Sequence, residues 1–79
     1  MREFRIEATH VPAGSDRRYA RGRHGDTIVT ASIDETQHPT AAGCGFIYAG
    51  GESPWNVHKV EREFAPGRLA PVNVAEVLR

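Results

Sequence analysis

Polar and apolar residues alternate along the first part of this chain. Residues 2–8 read Arg-Glu-Phe-Arg-Ile-Glu-Ala, which places Phe4, Ile6 and Ala8 on one side of a two-residue period. Such alternation predicts a half-buried strand. Pro12-Ala13-Gly14-Ser15-Asp16 then supplies a turn or short loop.

Residues 17–23 and 26–33 form the next pair of strands, joined by His24-Gly25. Glycine accepts positive φ freely and histidine is enriched there among other residues, so a tight hairpin turn is feasible. With a loop of those two residues, 23 faces 26, 21 faces 28, 19 faces 30 and 17 faces 32. One face then carries Arg17, Tyr19, Arg21, Arg23, Asp26, Ile28, Thr30 and Ser32. The opposite face carries Arg18, Ala20, Gly22, Val29, Ala31 and Ile33, which is small and apolar and should face the core. Arg23 is expected opposite Asp26 as an exposed cross-strand ion pair.

Residues 34–43 are rich in loop formers and leave room for one helical turn. Cys-Gly-Phe-Ile-Tyr-Ala over 44–49 has the aromatic and β-branched content of a strand. Ser53-Pro54 reads as an N-cap followed by proline at the first helical position. Val57, Val60 and Phe64 recur at i, i+3, i+7, and Lys59 and Glu63 stand four apart, which predicts a helix over 54–64 stopped by Pro66-Gly67. In the tail, Val72, Val74 and Leu78 suit a strand over 72–78, whereas Val74, Val77 and Leu78 suit a short helix. The expected fold is α+β: a small antiparallel sheet of three to five strands packed against one helix.

With 79 residues the chain has room for one domain, 1–79. Its 39% hydrophobic and 25% charged content is that of an ordinary globular protein. No apolar run is long enough for a membrane span or follows the N-terminus as a signal peptide would require, so a cytoplasmic protein is expected. The single Cys44 fits a reducing compartment and rules out an internal disulfide. Between glycines at the start of an apolar strand, it reads as a buried small hydrophobe.

Charge changes the picture locally. Arg17, Arg18, Arg21 and Arg23 fall within seven positions, and then no Lys or Arg appears until Lys59. Asp26, Asp34, Glu35 and Glu52 lie in that gap. The arginines with Tyr19 offer planar donors and a stacking face for phosphate or carboxylate. A solvated outer face of a hairpin is the plainer reading. The acids could meet a basic partner, although four in that length are sparse for a phosphate mimic. Trp55 is either core or an exposed interface anchor, since Trp, Tyr and Arg dominate binding surfaces. A sequence pI near 6.9 counts against a general nucleic-acid binder.

No catalytic constellation can be placed. His10, His24, His38 and His58 match no zinc spacing, and one cysteine cannot complete a structural site, so no metal and no cofactor is expected. What remains is a non-enzymatic module that binds a protein partner through Arg17, Tyr19, Arg21, Arg23, Asp34, Glu35, Glu52 and Trp55. The alternative is a nucleic-acid-binding accessory protein using the Arg/Tyr hairpin face.

In length, α+β pattern, lack of catalytic motifs and segregated charge, the chain resembles the small inhibitors of phages and mobile elements of the anti-CRISPR type. No motif carries that resemblance, so it transfers no residues. It implies binding to a CRISPR effector complex and blocking of target DNA, with the Arg/Tyr face or the surface acids as the contact.

Overall fold

A computed structural model describes residues 2–77. Six strands are present: β1 Arg2–His10, β2 Arg17–His24, β3 Thr27–Asp34, β4 Phe46–Ala49, β5 Asn56–Ala65 and β6 Arg68–Val72. Two helices of four residues each complete the described chain, α1 Pro39–Ala42 and α2 Val74–Val77. The strands form one sheet in the order β4-β1-β2-β3-β5-β6. Every pairing is antiparallel.

This overturns the expected sheet packed against one helix. Residues 54–64 are not helical; most of them belong to β5. The spacing of three between Val57 and Val60, which predicts a helix, comes instead from a β-bulge. Ala31 pairs with Val57 and the next residue, Thr30, pairs with Lys59, so His58 is an extra residue. One inserted residue brings Val57 and Val60 to the same face. Lys59 does not reach Glu63 either; it lies 3.4 Å from Glu61, two residues along the same strand. Ser53 is not a helix cap. Its hydroxyl donates to the Tyr48 carbonyl and accepts from the Trp55 N–H at 3.2 Å, which closes the β4–β5 connection. In the tail, β6 covers 68–72 and α2 covers 74–77, so of the two readings left open the short helix takes Val74 and Val77 and the strand over 72–78 does not form; Leu78 lies outside the described residues.

The β2–β3 hairpin turns one residue later than expected. His24 pairs with Thr27, leaving Gly25 and Asp26 as the loop. Gly25 has φ of 62° and no non-glycine residue among the described residues has positive φ, the pattern of a turn with glycine at its first central position. Moving the loop by one residue shifts the register by two. Side chains alternate with a period of two, so each keeps its expected face.

The inner face makes the core. Phe4, Ala20, Val29, Ala31, Ile33, Ile47, Ala49 and Val60 are buried there, joined by Trp55 from the β4–β5 connection and Val77 from α2. Ala41, Ala42 and Val74 pack against this cluster from the two short helices. The helices are therefore plugs over the apolar face, not a second layer. Phe4 lies so close to β2 that a Cβ on Gly22 would stand 2.8 Å from the Phe4 Cβ.

Candidate interaction face

The outer face of the central strands is where the arginine cluster lands. Register places Arg17 beside Asp34, Tyr19 beside Ser32, Arg21 beside Thr30 and Arg23 beside Ile28. On the other side of β2, Arg5 pairs with Arg23, Ala8 with Arg21 and His10 with Tyr19. A bulge at Glu7 creates that last arrangement. Ile6 pairs with Gly22 and Ala8 with Arg21, so Glu7 is the extra residue. Phe4 and Ile6 share the inner side as expected, but the bulge carries Ala8 to the outer one.

The four clustered arginines have different fates. Arg23 does not pair with Asp26. Its Nε donates to Glu7 Oε1 at 2.7 Å and its Nη1 to Glu63 Oε1 at 3.0 Å. Glu7 first and Glu63 second hold the guanidinium pKa above its ordinary value. Asp26 instead lies 3.8 Å from Arg62. Ile28, between Arg23 and Glu61 in the register, is only 1% exposed although it is on the outer side. Arg18 points away from this face and pairs with Glu35. Arg17 faces Asp34 across the strands, and its charge adds to the depression of the Asp34 carboxyl pKa. Among the described residues, Arg21 makes no ion pair and no side-chain hydrogen bond.

Two of the acids expected to meet a partner serve the chain's own fold. Asp34 accepts from the Thr36 hydroxyl at 2.6 Å and from the Thr36 N–H at 2.9 Å, so it folds the chain after β3. Glu35 is engaged by Arg18. Glu52 is exposed in the β4–β5 connection. Trp55 is 4% exposed and belongs to the core, which leaves it no surface to offer a partner. Cys44 is exposed, not buried: β4 begins only at Phe46, and the thiol donates to the Phe46 carbonyl at 3.1 Å.

Sequence reasoning missed His58. As the bulged residue of β5 it lies over the hairpin face, with Nε2 2.6 Å from the hydroxyl of the fully buried Ser32. Its ring is 5.8 Å from that of Tyr19 at an interplanar angle of 35°. Ser32 and His58 have the donor and acceptor of a nucleophile–base pair, yet the serine is closed to solvent and so cannot meet a substrate. The bond satisfies a buried hydroxyl. Among the described residues no three His, Cys, Asp or Glu side chains converge on a metal position. No described helix is long and apolar enough to cross a membrane.

Glu7, Glu63 and His58 join the face through strand pairings distant in sequence; the one local signal was the spacing of Val57 and Val60 around His58. No protein-family model matches the chain, and no curated protein or solved structure matches it either.

Proposed function

We propose that this chain is a non-enzymatic protein-binding module that acts in the cytoplasm through the outer face of β2 and β3. One observation carries the reading: Arg21 stands on a central strand beside Tyr19, exposed, with no acid partner among the described residues. A guanidinium on a rigid strand loses little freedom when it meets a carboxylate, and Arg and Tyr contribute strongly to interfaces. The anti-CRISPR type of inhibitor is the partner relationship that the chain's general character supports, with a nucleoprotein effector complex as target and loss of DNA binding as outcome.

The charge pattern of the face favours protein over nucleic acid. Glu7, Glu61 and Glu63 share it with the arginines, and carboxylates among the cations repel a phosphate backbone. A nucleic-acid-binding role is the second reading, supported by Tyr19, Arg17 and Arg21 alone. The test is co-elution of the chain with purified CRISPR effector complexes, set against Arg21→Glu and the double variant Arg17→Glu/Arg21→Glu. Co-elution lost in the variants supports the reading; absence of binding to any complex, with interference in cells untouched, removes it. A gel shift with DNA or RNA at about 50 mM salt that weakens steeply as salt rises would favour the second reading.

A further inference from the structure

The face holds a hollow of about 140 Å³ lined by Ala8, Thr9, His10, Tyr19, Arg21 and Thr30. Its origin is the bulge at Glu7, which sets small Ala8 directly opposite Arg21, while small Thr30 stands on the other side of the same arginine. Two short side chains around a long one leave a depression. Tyr19 and His10, paired in the next row, wall it. The floor is carbon, and Arg21 contributes its aliphatic stem to the rim while its charged head stays in water.

We propose that this hollow seats one apolar side chain of a partner segment that carries a carboxylate beside it, the carboxylate meeting Arg21. The inference rests on the protein-binding reading and names its contact. Size decides the occupant class: about 140 Å³ is well below the roughly 300 Å³ at which small-molecule pockets begin, and suits one side chain of leucine or phenylalanine size. Charge decides what flanks it, because Arg21 at the rim has no acid partner among the described residues. A stacked base is less well served, since one side of the Tyr19 ring is already occupied by His58.

The test uses the full chain, isotope-labelled for amide NMR, with a synthetic peptide carrying one Leu between two Asp residues. Shifts centred on Ala8, Thr9, Tyr19, Arg21 and Thr30 are expected. They should disappear with a peptide carrying Gly in place of Leu and with one carrying Lys in place of Asp. Ala8→Leu fills the hollow from an exposed position and should weaken binding about tenfold or more, a loss of about 1.4 kcal/mol. Arg21→Gln should weaken it comparably and make it insensitive to salt. The proposal is overturned by no shift with the Leu peptide, by equal shifts with the Gly peptide, by unchanged affinity of Ala8→Leu, or by saturation with oligothymidine but not with peptide. If effector co-elution is lost in Arg21→Glu but kept in Ala8→Leu, the protein-binding reading survives and the seat does not.

Discussion

The Nε of Arg23 donates to Glu7 Oε1 at 2.7 Å, linking the turn end of β2 to the bulge of β1. The same guanidinium reaches Glu63 on β5, so one side chain ties together strands on both sides of the hairpin. Replacing it by an uncharged side chain leaves two carboxylates facing the same gap. Arg23→Met is therefore expected to lower the Tm by several degrees, and the deficit should narrow in high salt, which screens the Glu7–Glu63 repulsion. Thermal melts of both proteins at low and high salt measure this; an identical Tm would show that the ion triad is idle.

Gly22 sets the distance between β1 and β2. A Cβ there would meet the Phe4 Cβ at 2.8 Å and the Phe4 carbonyl at 3.0 Å, both fixed to the neighbouring backbone. The Ile47 Cδ1 closes the third side at 3.1 Å. Gly22→Ala is an overpacking change, expected to cost about 1–3 kcal/mol. Urea unfolding should show a reduced midpoint at unchanged slope.

The Ser32–His58 bond should show the asymmetry of buried polar pairs. Ser32→Ala removes one net hydrogen bond, about 0.5–1.5 kcal/mol. His58→Phe keeps a ring over the site but strands the buried serine hydroxyl, for about 1–3 kcal/mol. The double variant should then be more stable than His58→Phe alone. A double-mutant cycle by chemical denaturation reads the sign directly, and additive costs would show that the two groups do not interact.

Asp34 makes stability depend on acid. The Thr36 hydroxyl, then the Thr36 N–H, and more weakly the Gln37 N–H and Arg17, hold its carboxyl below the ordinary value of 3.8. A carboxyl with a lower pKa folded than unfolded adds stability above the unfolded value, and loses it as pH falls through the folded one. Asp34→Ala should thus be less stable than the parent by a constant margin near neutral pH, and that margin should shrink below pH 3.8. Unfolding midpoints collected across that range give the comparison; a margin independent of pH would contradict the assignment.

The hairpin shows how far sequence reasoning reaches. Alternation over 17–33 sorted Arg17, Tyr19, Arg21 and Arg23 from Ala20, Val29, Ala31 and Ile33 correctly, even though the turn falls at Gly25-Asp26. A register error of two preserves parity, so faces are legible where pairings are not. Residues 56–65 show where it stops. Their spacing of three mimics a helix because a bulge and a helical turn both return a side chain to the same face. Nothing local separates the two; the pairing of β5 with β3 and β6 does.

Local pattern alone determined which residues of β2 and β3 alternate, and that the basic run, Arg18 apart, lies on the face opposite the small apolar one. Only the tertiary structure decided what that run became. Glu7 and Glu63 neutralise Arg23, Arg17 stands across from Asp34 without bonding it, Glu35 takes Arg18, and among the described residues Arg21 makes no ion pair and stands beside a hollow. Alternation is a property of neighbouring residues and is written in the chain. The partner of a charge is set by strand order and bulges, which bring together groups as distant as Arg23 and Glu63.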